Sequence, residues 1–177
     1  VGLEVGSFVP RRNVEPTAEH RDRSVRNQLL RIIQDPDARL LSARVFASRQ
    51  LAALPAPEVT RDLLDIYSSR ASPPGLKTVV AGLLRERRTG GSLLVDALRR
   101  HYDYLAQTEP PPLQVLAPTL VAMNERSAVP RLIDHLMDPY TSTEGLKEIV
   151  QAVSTLGDSS TVGPLKDFLT RYHADSA

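Results

Sequence analysis

At 177 residues the chain is long enough for one domain with a sizeable core, or for one continuous repeat array. Aromatic residues make up 5%, Trp and Cys are absent, and no run approaches the ~18 apolar residues of a membrane span, so disulfide scaffolds, thiolate metal sites, cysteine nucleophiles and helical membrane spans are excluded. The net charge is +1, but residues 1–100 carry 17 Lys and Arg against 11 Asp and Glu, while residues 101–177 carry 5 against 10.

The first stretch, "VGLEVGSFV", alternates weakly at Val1, Leu3 and Val5 but is short and Gly-rich, and Pro10 and Pro16 follow in polar surroundings. Residues 1–23 therefore read as a partly disordered N-terminal extension. Without an initiator Met, a basic leader or an apolar leader segment, the chain is expected to be a processed protein or a piece of a longer one.

From residue 24 to 172 the apolar spacing is helical. Val25, Leu29, Ile32 and Ile33 are expected on one face; Leu40, Ala43, Ala47, Leu51 and Leu54 on the next; Leu146, Ile149, Val150, Val153 and Leu156 on a later one. Breakers every 12 to 18 residues cut this stretch into about nine short helices, with a tail at 173–177. Asp35-Pro36 and Ser72-Pro73 fit helix starts, a capping side chain followed by Pro. Gly157 fits a helix stop, and Pro118, inside a helical pattern, should kink or delay its helix.

The odd-numbered helices share a signature: "LLRII" at 29–33, "LLDIY" at 63–67, "LVDAL" at 94–98, "LIDHL" at 132–136 and "LKDFL" at 165–169, spaced by 34, 31, 38 and 33 residues. A second echo, "GLKTVV" from Gly75 and "GLKEIV" from Gly145, opens even-numbered helices. Five signatures in order, each starting a helix pair, make a repeat. The expected fold is all-α, a monomeric right-handed α-α superhelix of four helix pairs and a terminal helix.

Periods near 34 residues with two helices also occur in tetratricopeptide and ankyrin arrays, but the aromatic pattern of the first and the "TPLHxA" turn of the second are missing. Through "SAVPRLIDHLMDP", "LKEIVQAVSTLGD" and "STVGPLKDFL" the chain resembles the HEAT family, in its short bacterial form known as PBS-lyase HEAT-like repeats. "LLRIIQDPDARLLSARVFASRQLAAL" repeats the scheme near the other end; the middle departs from it. The resemblance implies an α-solenoid whose second helices line a concave binding face, in a protein that belongs to a larger bacterial assembly. It also brings a lyase-like or DNA-glycosylase-like member of the family as an alternative function.

Catalytic motifs are missing. His20, His101, His135 and His173 have no metal-ligand spacing, and His135, next to Asp134 on a helix, points to an adjacent face. No glycine-rich phosphate loop or serine elbow is present, so no cofactor and no catalytic residue is expected. A phosphate-tracking stripe would need continuous positive charge, which the acidic second half denies, so nucleic acid is not the expected partner.

One local concentration is basic: "RERR" at 85–88 and "RRHYDY" at 99–104, the latter placed on a helix. Arg85, Arg87, Arg88, Arg99, Arg100, His101 and Tyr102 are expected to form one patch, with a merely solvated charged turn as the bland alternative. On the second helices, Arg44 and Ser48, Lys77, and Lys147 and Gln151 are expected to face the groove. The expected ligand is a protein or peptide whose acidic segment lies against the second repeat, and reversing Arg85, Arg87 and Arg88 is expected to spare the fold.

Overall fold

A computed structural model describes the backbone of residues 18–175 and the side chains of residues 21–172. Residues 1–17 of the expected extension lie outside it, whereas residues 18–23 open the first helix. Among the described residues there is no strand, and the fold is all-α. The helices are α1 (Ala18–Gln34), α2 (Leu41–Ala53), α3 (Glu58–Ser68) and α4 (Pro74–Glu86), then α5 (Gly91–Ala97), α6 (Leu113–Ala122), α7 (Val129–Leu136), α8 (Thr143–Leu156) and α9 (Val162–Asp175). Single turns of 3-10 helix precede α2, α7 and α9.

Neighbours in space follow two rules. α1 packs on α2, α3 on α4 and α7 on α8; in addition α2 touches α4, α4 touches α6 and α6 touches α8, while α1 touches α3 and α3 touches α5. Even helices thus form one row and odd helices run beside it. The five signature segments lie on α1, α3, α5, α7 and α9, that of α5 ending on its C-cap Leu98. A single amphipathic helix cannot bury its stripe alone, and this arrangement packs α1 to α6 and α8 each against at least two other helices.

Burial divides into two cores. Ile33, Ala47, Leu51, Val59, Leu63, Ile66, Leu76, Val80 and Leu84 fill the first. Leu94, Leu98, Leu116, Leu120, Leu132, Ile149, Val153 and Leu156, among others, fill the second. The two are stitched across the middle: Leu64 of α3 belongs to the second core, and Val115 of α6 belongs to the first.

Local signals explain most of the ends. Ser142 accepts a hydrogen bond from the Gly145 amide and caps α8. Gly157 stops α8, as the sequence indicates, but with extended backbone; a Cβ there would lie 2.5 Å from the Val153 carbonyl oxygen, so close approach is what demands glycine. Gly90 precedes α5 with φ +84°, the left-handed region that a side chain resists. α6 runs through Pro118, which supplies no amide to the Gln114 carbonyl.

Several expectations need correction. α4 starts on Pro74 with Pro73 as N-cap and no side-chain cap, so Ser72 does not cap it. α1 buries Ile33 but leaves Val25 and Ile32 more than two-fifths exposed. α2 buries Ala47 and Leu51 as expected, but Arg44 and Ser48 join them inside while Leu40 and Ala43 are exposed. The "GLK" echo marks the same place in the topology but not the same rotation. α4 buries Leu76, Val80 and Leu84, whereas α8 buries Gly145, Ile149, Ala152, Val153 and Leu156. α5 ends at Ala97, so "RRHYDY" lies on no helix. Asp103 ends any helical course by accepting from the amides of Leu105 and Ala106, an Asx turn that competes with helix.

Candidate functional site

An open cleft of about 760 Å³ lies at the middle of the molecule. Three even helices bring their N-terminal ends to it: α4 through Lys77, α6 through Leu113 and Gln114, and α8 through its cap Ser142. The odd row contributes Tyr67 and Arg100 follows α5; Glu109 and Tyr140 close the sides. Helix N-termini carry partial positive charge; Lys77 and Arg100 add full charges of the same sign, facing the carboxylates of Asp65, which interacts with Arg100, and Glu109.

The cleft walls are held in place. The Lys77 ammonium stands 6.0 Å from the centroid of Tyr67, a cation–π distance. Gln114 donates to the Tyr67 hydroxyl at 3.4 Å. Arg70 pairs with Glu109, so one of the cleft's carboxylates already has a cation.

Beside the cleft, residues 103–108 form a tight hairpin in which Asp103 and Thr108 exchange backbone hydrogen bonds. Gln107 turns it with φ 51°. The hairpin presents Tyr104, 78% exposed, and Leu105, 91% exposed. Tyr102 stacks at a tilt on Tyr140, ring centroids 4.9 Å apart. Apolar and aromatic side chains held this far into water, next to a cleft, are the composition of binding hot spots.

The ten residues singled out in sequence separate into groups. Lys77 and Arg100 line the cleft, and Tyr102 rests on its rim through Tyr140. Lys147 and Gln151 are exposed on α8, and Arg99 is exposed and pairs with Asp96 at 3.2 Å. Arg85 and Arg88 are exposed at the far end of α4, where Arg88 borders a shallower hollow with Arg49. The two basic runs therefore face different clefts and do not make one patch.

Arg44 and Arg87 are buried and lie outside the central cleft, each at the floor of a smaller hollow. Arg44, 5% exposed, donates from Nε to the Ile33 carbonyl at 2.7 Å, one of the carbonyls that the end of α1 leaves without a helical partner. Ser48 beside it is fully buried. Arg87, 8% exposed, donates to the carbonyls of Ala52, Leu54 and Ala56 and to the hydroxyls of Thr60 and Thr89. It fastens the end of α2 to the start of α3. Burial lowers its pKa from arginine's ordinary value, but a guanidinium with five donated hydrogen bonds stays charged. Reversing Arg87 would leave a buried carboxylate facing three carbonyls, so the expectation that the fold tolerates it fails.

The structure also assembles a group that residue spacing did not reveal. His101, after α5, and His135 and Asp138, at the end of α7, each bring a nitrogen or oxygen ligand atom within 4.8 Å of the others. The two rings stack with centroids 4.3 Å apart. His101 Nδ1 lies 2.8 Å from Asp138 Oδ2, and His135 Nε2 donates to the Leu98 carbonyl at 2.7 Å. Burial is the main cause that lowers the His135 pKa, and the hydrogen bonds from His101 and the Tyr140 amide hold the Asp138 carboxyl below its ordinary range against the opposing effect of burial. Asp134, the sequence neighbour of His135, faces away and meets Arg131 at 3.3 Å. The one sequence signal for the cluster was His135 and Asp138 at i, i+3; His101 is 34 residues from His135, and only folding joins them.

Among the described residues no helix is long and apolar enough to cross a membrane. No family model matches the chain, and no curated protein or solved structure matches it either.

Proposed function

We propose that the chain is a non-catalytic binding module, a right-handed superhelix of HEAT-like helix pairs that takes an acidic protein segment into the cleft between α4, α6 and α8. The solenoid half of this reading is supported by the order of contacts, each even helix on the next even helix, and by the signature on all five odd helices. The observation that carries the binding half is the cleft itself. It is partly open to solvent, it gathers Lys77 and Arg100 with the N-terminal ends of three helices beside Asp65 and Glu109, and Tyr67 and Tyr140 line it.

The chemistry favours an extended acidic segment with apolar positions. A carboxylate near Lys77 and Arg100 gains attraction while its own backbone stays near water, and an aromatic or aliphatic side chain of the ligand packs on Tyr67, Tyr140 or the Tyr104–Leu105 tip. Charge at such a surface mainly sets the rate of encounter, and the buried anchors set the lifetime. Relative to the sequence expectation, the site moves from the 85–88 corner to the cleft.

Selection from a random peptide library on the immobilised full chain tests this. Peptides enriched in Asp and Glu around an aromatic or aliphatic anchor, and lost when the selection is repeated on Lys77→Glu/Arg100→Glu, are the expected result. Enrichment without acidic bias, or an identical set from the variant, would reject the assignment.

A further inference from the structure

We propose that His101, His135 and Asp138 bind one divalent transition-metal ion of the Zn²⁺ type, joining the loop after α5 to the end of α7. The three residues supply two imidazole nitrogens and a carboxylate oxygen, with their ligand atoms within 4.8 Å of one another. Such a set suits Zn²⁺ and its first-row neighbours; Ca²⁺ and Mg²⁺ prefer oxygen cages. Three protein ligands leave a fourth tetrahedral position to water.

Outer-shell bonds already orient the ligands. A histidine that coordinates through one nitrogen usually donates its other N–H to a carbonyl or carboxylate, which fixes the tautomer. His135 does this: a carbonyl accepts but does not donate, so the 2.7 Å contact of Nε2 with Leu98 O places the proton on Nε2. The neutral ring then keeps its lone pair on Nδ1. Asp138 is held in the same manner, with Oδ1 accepting from the Tyr140 amide at 2.9 Å. Its Oδ2 shares a proton with His101 Nδ1 at 2.8 Å, and the ion takes that proton's place.

His101 is the ligand that moves. Its side chain is 41% exposed and lies in the irregular segment between α5 and α6. The ring planes are stacked with a tilt of 22°. Coordination at bonds of about 2.0–2.1 Å requires His101 to turn out of the stack about its side-chain torsions. His135, 1% exposed and fixed by its carbonyl bond, is the static half.

The test uses the full chain without a histidine tag, stripped with chelator, titrated with Zn²⁺ by calorimetry and with Co²⁺ by visible absorption. One ion per chain and the intense d–d bands of tetrahedral cobalt are expected. His101→Phe keeps a ring stacked on His135 and removes a ligand; Asp138→Asn keeps the shape and removes the charge. Each should weaken binding on the order of 10–100-fold or more, the range already seen for loss of an outer-shell partner. His101→Phe decides alone if the asparagine variant loses its circular dichroism, because the ring it replaces is half exposed. No zinc uptake by the wild-type chain, or equal affinity in the folded His101→Phe variant, overturns the proposal; the second outcome would place the ion on other residues, such as His20 or His173.

Discussion

The first core, between α1 and α4, and the second, between α5 and α8, solve the same problem with different chemistry. Each contains helices that end against neighbours, with carbonyls left over where the helical ladder runs out. In the first core arginine answers: Arg44 meets Ile33 at the end of α1, and Arg87 collects Ala52, Leu54 and Ala56 at the end of α2. In the second core a histidine answers, His135 meeting Leu98 at the end of α5. Arg87 spends all five of its N–H donors on carbonyls and hydroxyls and has none left to offer a ligand. An imidazole spends one nitrogen on the carbonyl and retains another, which is the nitrogen the proposed metal site would use.

The largest effect should come from the arginine lock. Arg87→Met removes five hydrogen bonds and leaves buried carbonyls without donors, a loss of about 4 kcal/mol in urea unfolding. Arg87→Lys should recover only part of it, because an ammonium lacks the planar fork that reaches several acceptors. Full recovery with lysine would mean that charge alone, not geometry, makes the lock.

Next comes the stitch between the cores. Leu64→Ala, in α3 but packed in the second core, should cost about 3 kcal/mol and accelerate amide exchange in both halves within one unfolding transition. Two resolved transitions would separate the cores that Leu64 and Val115 are said to join. His135→Phe, which removes a single buried hydrogen bond, should cost about 2 kcal/mol, less than Arg87→Met. A reversed order would contradict the ranking by donor count. The smallest effect belongs to the exposed corner: Arg85→Glu with Arg88→Glu should change stability by no more than about 0.5 kcal/mol.

The helix order was legible in the sequence because apolar spacing and Pro or Gly breakers report it directly. The signature at 31–38 residue intervals identified every odd helix. What was misread has one physical origin. Periodicity registers which side chains avoid water, and it counts a polar residue as facing outward. Arg44 and Arg87 are polar yet buried because carbonyls outside their own helices accept from them, and those carbonyls are known only once the helices are packed; Ser48 is satisfied within its helix by the Arg44 carbonyl. The same limit hid the His101–His135–Asp138 cluster, whose members come from segments joined by the fold. Within the cleft, Lys77 was visible as a groove-facing residue and Arg100 as part of a basic run, but their meeting with Tyr67, Tyr140 and three helix N-termini was not.

On the proposed reading Lys77 and Arg100 recognise the ligand whereas buried Arg87 only holds the fold, and association kinetics test this most directly. The rate at which a selected acidic peptide binds would be measured over a range of salt for the wild-type chain, for Lys77→Glu/Arg100→Glu and for Arg85→Glu/Arg88→Glu. The cleft variant should slow association about tenfold or more at low salt, lose most of the salt dependence and keep its unfolding midpoint, while the corner variant changes the rate much less. A cleft variant with unchanged rate and unchanged salt dependence, or a corner variant with the larger effect, would contradict the assignment of recognition to the cleft.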